Sequence, residues 1–147
     1  MIIITIIEAM KKWVSGFPLL DELLGVEIHI DLTEESDGSY GLELASDSCT
    51  EEYVDGSQLR TAQFFLYFRD ATDFDVQRLE NCQFCQNLIF WVRCKNRSEE
   101  LPELDGDGEH TLSADSVSAQ NGRLLYYDDS CTSGVYQIAI ELTYFLQ

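Results

Sequence analysis

One stretch, residues 58–102, constrains the fold more than any other part of the chain. It opens with residues 59–68, whose second half is apolar at every position, as is typical of a central strand covered on both faces,. After a charged turn, apolar side chains recur at helical spacing up to Arg97, and Asp73 or Asp75 can cap the start of this helix,. Pro102 ends the helical pattern,. The stretch therefore predicts a strand and a long helix around which the rest of the chain packs.

The chain before this stretch predicts one helix and two strands. Apolar residues spaced three and four apart between positions 3 and 14 indicate an amphipathic helix, which Ser15 and Gly16 end,. Residues 26–33 alternate between apolar and polar, as in a half-buried antiparallel strand, and a hairpin turn at 36–39 leads to a second strand at 40–44,. Residues 45–56 are acidic and unpatterned, so we expect them to form a surface loop.

The chain after it predicts strands only. Residues 111–117 and 123–127 indicate two short strands around a turn at 120–122, and residues 135–146 alternate more regularly than any other segment,. The predicted fold is a single α+β domain over residues 1–147. Its mostly antiparallel β-sheet is flanked by an N-terminal helix and a longer central helix.

Charge separates this chain from most proteins of its size. Nine basic and 27 acidic residues give a formal net charge of −18, and no Lys or Arg occurs between Lys12 and Arg60 or between Arg97 and Arg123. Phosphate contacts need cationic side chains, so this composition disfavours binding to nucleic acid. Two interpretations remain: a surface that keeps the protein soluble or salt-adapted, and a surface that passes close to DNA without binding it.

No motif predicts catalysis, a metal or another cofactor. Cys82 and Cys85 form a C-x-x-C pair, but they lie in the middle of the predicted helix, where neither a zinc site nor a redox pair is typical,. Residues 105–109 resemble the start of a calcium loop but lack its remaining ligands,. The two histidines, His29 and His110, lie near no recognisable nucleophile or paired carboxylate,. We therefore expect an interaction protein rather than an enzyme.

Two further expectations concern the compartment. The apolar segment at residues 1–7 is short and precedes its basic pair, so it does not fit a signal peptide, and no segment is long enough for a membrane span,. The five cysteines are odd in number and irregularly spaced, which favours reduced thiols in a cytoplasmic product,.

Several segments taken in order resemble a known family. They are residues 64–69 (FFLYFR), a helix ending in Phe90 and Trp91, residues 96–102 (NRSEELP) and residues 136–144 (YQIAIELTY), preceded by the helix that ends at Trp13 and the strands at 26–44. Their order and spacing resemble the tail terminator and related minor structural proteins of siphophages and prophages of Gram-positive bacteria. Trp91 itself fits a core position better than an interface.

The resemblance implies a virion tail protein assembled in the host cytoplasm. It implies a hexameric ring at the head-proximal end of a non-contractile tail tube, which ends tube polymerisation and joins the tail to the neck. The implied partners are further copies of the chain, the major tail tube protein and a neck or head-completion protein, with DNA passing through the lumen unbound. Candidate contact residues, for neighbouring subunits or for the lumen, are Glu51, Glu52, Tyr53, Arg69, Asp105, Asp107 and Glu109.

Three alternatives stay open. The nearest is another connector of the virion, such as a neck or head-completion protein, which also works by stacking rings. The others come from different classes: a small hydrolase or metal-dependent enzyme, and an acidic protein that mimics DNA.

Overall fold

The computed structural model describes residues 6–18, 28–30, 39–71, 75–104, 111–127 and 133–147. The elements in these ranges are α1 (Ile6–Val14), β1 (Ile28–Ile30), β2 (Ser39–Glu52), β3 (Gln58–Ala71), α2 (Asp75–Arg97), β4 (Leu112–Tyr127) and β5 (Ser133–Leu146). The predicted N-terminal helix and the predicted central helix are both confirmed, as α1 and α2. α2 has the predicted bounds, and α1 buries Ile6, Met10 and Val14 at four-residue spacing,.

The strands form a single five-stranded sheet in the order β1-β2-β3-β5-β4. β2 with β3, and β4 with β5, are antiparallel hairpins, and β3 joins β5 in an antiparallel pair at the centre. The predicted α+β fold with a mostly antiparallel sheet is therefore confirmed.

Both helices pack on the same face of this sheet, which we call the covered face. Its side chains come from alternate positions of β3 and β5 and are almost completely buried, as at Phe64, Leu66, Ile138 and Ile140. Residues of α1 and α2 belong to the same cluster, and the Phe68 ring lies 4.7 Å from Phe84 of α2 and 4.9 Å from Tyr136 of β5. The core is thus one layer between helices and sheet.

The opposite face, the open face, corrects one prediction. Phe65 and Tyr67 of β3 alternate with the buried residues, and both remain partly exposed to solvent. Residues 64–68 of β3 are all apolar, but in the described parts of the chain helices cover only one face of this strand. The expectation that this strand is covered on both sides is wrong, because α1 and α2 share one side.

Three further predictions about strands are also wrong. β1 runs parallel to β2, with Ile28 opposite Tyr40, so these two strands do not form the predicted hairpin,. Residues 45–52 belong to β2 and not to a loop, because pairing with β3 continues to Glu52. β4 runs through the expected turn at 120–122 and is irregular there, with pairing to β5 shifted between Gln120 and Arg123,.

The end of α2 is fastened to its neighbours. Glu99 takes a left-handed φ of 58°, and Glu100 N–H donates to Lys95 O at 3.0 Å, which is a Schellman ending,. Trp13 Nε1 donates to Glu100 O at 2.9 Å, and the Trp13 and Trp91 rings lie 4.9 Å apart. Trp91 is half-buried between these groups, so it serves the packing of α1 on α2.

Candidate interaction surfaces

The distal part of the β2–β3 hairpin, residues 44–58, lies at the edge of the sheet outside the buried core, and we call it the arm. Residues 44–56 are all exposed. β1 pairs with β2 only from Tyr40 to Leu42, so beyond Leu42 no described strand pairs with the outer edge of β2. Among the described residues, the main-chain donors and acceptors on that edge have no strand partner, and an edge of this kind can pair with a strand of another chain,.

The outer edge of the arm also carries features that restrain indiscriminate pairing. The register of β2 on β3 shifts between Leu44 and Ser46 and again between Cys49 and Glu51. Irregularities of this kind twist an edge, and charged side chains discourage uncontrolled addition of strands. Every charged residue on this part of β2 is acidic: Asp47, Glu51 and Glu52. The edge is thus open, but selective by charge and shape.

The tip of the arm is a defined turn. Tyr53 N–H donates to Ser57 O at 2.8 Å, and Gly56 N–H donates to Tyr53 O at 3.0 Å. Gly56 has a φ of 90°, which favours glycine, and Asp55 Oδ1 accepts hydrogen bonds from Ser57 N–H at 3.0 Å and Ser57 Oγ at 2.6 Å,. These bonds lower the pKa of Asp55. The turn presents Val54 to solvent without any burial.

The predicted contact residues Glu51, Glu52 and Tyr53 come together at this tip. All three are exposed, and Tyr53 OH donates to Glu51 Oε2 at 3.2 Å. Glu51 and Glu52 are the last residues of β2, and Tyr53 begins the turn. An apolar Val54 and an aromatic Tyr53 bordered by carboxylates form a small amphipathic surface, which is the composition of a protein contact rather than of a catalytic centre.

A polar cluster fixes the base of the arm to the sheet. Tyr144 OH on β5 donates to both carboxylate oxygens of Asp47 on β2 at 2.9 Å, and Arg60 Nε on β3 lies 3.3 Å from Asp47 Oδ1 and 3.2 Å from Tyr144 OH. Arg60 Nη1 also donates to Gln58 Oε1 at 2.7 Å. Burial, followed by the hydrogen bond to Asp47, raises the pKa of Tyr144 to about 12. Tyr144 therefore stays protonated and donates to Asp47 throughout the physiological pH range.

The remaining predicted contact residues are not brought to the arm by any described contact. Arg69 lies in β3 opposite Ser39 and Val135, toward the other end of the strand. It follows Leu59, the partner of Glu51, by ten positions, a separation of roughly 34 Å along a strand,. Asp105, Asp107 and Glu109 lie outside the described residues, as does His110.

The C-x-x-C pair is part of the packing of α2. Cys85 is buried, whereas Cys82 is exposed, and neither forms a disulfide. Burial, followed by the proximity of Cys82, raises the pKa of Cys85 to about 12, so its thiol is protonated at neutral pH and a poor nucleophile or metal ligand,. Among the described residues, no group of three or more His, Cys, Asp or Glu side chains is placed to hold a metal ion.

Sequence reasoning missed the Asp47–Arg60–Tyr144 cluster, because its members come from three strands and share no spacing in the chain. The alternation of β5 did place Tyr144 on the buried side, and an aromatic hydroxyl in such a place needs a partner,.

No family model matches the chain, and no curated protein matches its sequence significantly. In the described residues no helix is both long and apolar enough to cross a membrane.

Proposed function

We propose that this protein is a tail-terminator subunit of a non-contractile phage tail. In this proposal, copies of the chain form a hexameric ring at the head-proximal end of the tail tube in the virion. The ring stops the addition of tube subunits and provides the surface on which the neck or head-completion protein docks. The protein acts by assembly and not by catalysis.

The observation that carries the proposal is the arm. Residues 44–56 are solvent-exposed, yet the hydrogen bonds of Tyr144 and Arg60 to Asp47 hold the base of the arm on the central strands. A fixed edge strand without a described partner on its outer side can pair with a neighbouring subunit at little cost in conformational entropy,. This geometry supports a subunit that functions by assembling with other subunits.

The distribution of charge supports the same function. The arm carries Asp47, Glu51, Glu52 and Asp55, and Arg60 is its nearest cation, already held by Asp47. Carboxylates that line a channel repel the phosphates of DNA, so DNA can pass without being retained. We propose that the acidic side of the arm faces the lumen of the ring.

The test is polymerisation of the major tail tube protein from the same phage, with and without this protein. We expect shorter tubes that carry a ring at one end in electron micrographs. A Tyr53→Ser/Val54→Ser variant, changed only at the exposed tip, is expected to fold as stably as the wild type but to cap tubes less well. Tubes of unchanged length without an end ring would contradict the proposal.

A second candidate, another connector of the neck, is favoured by the same open edge because it also depends on contacts between subunits. It predicts a different result in the same experiment. The protein would form rings that bind a head-completion protein, and the length of the tubes would not change.

A further inference from the structure

The outer side of α2 carries a surface that the packing of the subunit does not use. Phe90 is 66% exposed, and Arg93 and Arg97 follow it by three and seven positions, so all three lie on one side of the helix,. That side points away from the sheet, because Phe84, Leu88 and Val92 make the contacts with the core. We call Phe90, Arg93 and Arg97 the helix stripe.

The helix stripe has the composition of a protein contact. Aromatic residues and arginine are enriched at interfaces and dominate their energetics. The described residues give Arg93 and Arg97 no ion pair or hydrogen bond, although 27 acidic residues occur in the chain. Among the described residues, the exposed cationic side chains are these two and Lys12, so the stripe is a small basic patch on an acidic protein.

The open face of the sheet carries a hollow of about 170 Å³ above Ala139. Phe65 and Gln120 lie opposite Ala139 on the neighbouring strands. Glu141, two positions after Ala139 on β5, lies between Gln63 and Ser118 in the same way. The small side chain of Ala139 leaves the space that larger side chains would fill. Cofactor and ligand sites usually measure about 300–1,000 Å³, so a hollow of this size suits a single side chain of a partner.

The acceptors around the hollow are unused. Glu141 is half-buried, and the described residues offer its carboxylate neither an ion pair nor a hydrogen bond. Glu43, opposite Phe65 on β2, is likewise half-buried and without such a partner. Glu43 lies opposite Phe65 and Glu141 opposite Gln63, so the two residues are two strands and two positions apart, roughly 12 Å along the diagonal, with the Phe65 ring beside this line,. Such a site fits arginine, whose guanidinium pairs with carboxylates and stacks on aromatic rings.

We propose that the helix stripe of one subunit docks on the open face of the next, with Arg93 and Arg97 against Glu141 and Glu43 and Phe90 against Phe65. Side chains four positions apart on a helix have Cβ atoms about 5–6 Å apart, and arginine side chains can splay to reach both carboxylates. The inference rests on the proposed ring and assigns its subunit contact.

The symmetry of this contact follows from the fold. The stripe and the hollow lie on opposite sides of the subunit, one beyond the helix layer and the other on the uncovered side of the sheet. A contact between two different surfaces is heterologous, and repetition of such a contact closes into a ring or extends into a filament. The partner is therefore a second copy of the chain, since the same chain supplies both complementary surfaces.

Charge reversal tests the contact in the full-length protein. Arg93→Glu and Glu141→Arg are each expected to reduce self-association at least tenfold, measured by light scattering and sedimentation over a range of concentrations. An equimolar mixture of the two variants is expected to restore association, because each contact then joins opposite charges. Lys12→Glu, which changes an exposed cation outside the stripe, is the matched control and is expected to leave association unchanged.

The outcomes separate this contact from the proposed function. If the wild type forms rings and both variants do so equally well, the assigned contact is wrong and the ring stands. If the wild type stays monomeric up to millimolar concentration, the contact is also overturned, and the tube-capping experiment alone then decides the function. Loss in the variants without restoration in the mixture would likewise reject the pairing of the stripe with the hollow.

Discussion

The two faces of the sheet use the same strands for different purposes. On the covered face Phe64, Leu66 and Ile138 have essentially no exposed surface, whereas Phe65 and Tyr67, one position away, remain partly exposed on the open face. On the open face, Tyr67 OH accepts a hydrogen bond from Gln137 Nε2 at 3.3 Å, whereas the three residues on the covered face have apolar side chains. The comparison teaches that apolar composition on both sides of a strand does not require burial on both sides. In the part of the chain that the structure describes, no helix covers this side, and exposed apolar side chains of this kind often meet another molecule,.

The largest expected effect separates the faces directly. Leu66→Ala should lower the free energy of unfolding by about 2–5 kcal/mol, because it leaves a cavity under the helices,. Phe65→Ala, at the adjacent position on the open face, should cost much less, because solvent already reaches that side chain. Urea denaturation of both variants measures the difference. Equal losses would show that the two faces are equally packed.

A second prediction concerns a close approach between β4 and α2. A Cβ added at Gly122 of β4 would lie 2.7 Å from Cys85 Cβ, so Gly122→Ala should destabilise the fold by roughly 1–3 kcal/mol,. Cys85→Ala in the same chain should not rescue it, because the clashing atom is retained. An unfolding midpoint equal to that of the wild type would mean that the helix is not seated so closely on this strand.

The elements that the sequence predicts well are those buried on one side. Periodicity comes from burial on one side, so α2 and β5 were predicted with nearly their observed bounds. The arm is exposed on both sides and has no alternation to detect. Asn121 and Gly122 have the chemistry of a turn, but this glycine serves the contact with Cys85,.

The candidate surfaces were predictable to a smaller extent. Composition directed attention to Glu51, Glu52 and Tyr53, which the structure places at one tip. The helix stripe was missed, because cations near the end of a helix, such as Arg93 and Arg97, are already explained by the helix dipole,. Phe90 was the available signal: it falls outside the apolar face formed by Leu88 and Val92. The hollow requires three strands in register, which no single segment encodes.

A third prediction concerns the margin of the covered face, where hydrogen bonds replace packing. Tyr144→Phe removes the donor to Asp47 and should lower the free energy of unfolding by about 1 kcal/mol at pH 7,. Asp47→Asn is expected to weaken the arm similarly, with Glu52→Gln as a control outside the cluster. Cleavage of the arm by a protease should be faster in both cluster variants, and an unchanged rate would remove the cluster from the support of the arm.

The same tyrosine gives a pH dependence. Its pKa is raised from the usual 10.0 to about 12 by burial and by Asp47, so its contribution to stability is complete below pH 10 and is lost as the pH rises through 12,. Cys85, with a pKa also raised to about 12, adds a loss that begins nearer pH 9. Absorbance of tyrosinate in the wild type minus that in Tyr144→Phe should show a group titrating near pH 12. A midpoint near 10 would contradict the burial.

The smallest expected effect lies where the helix layer ends. Glu99 occupies the left-handed position of the Schellman ending with φ 58°, a conformation that costs most side chains about 1–2 kcal/mol and glycine very little,. Glu99→Gly should therefore stabilise the fold by roughly 0.5–1 kcal/mol, since Glu99 is exposed and the described residues give its side chain no hydrogen bond or ion pair that the substitution would lose,. Ser98→Gly, one position earlier and without a positive φ, should instead be neutral or destabilising. If both substitutions lowered the midpoint of thermal unfolding, α2 would not end in a Schellman motif. The hydrogen bond from Trp13 to Glu100 O, which holds α1 over the covered face, would then need another explanation.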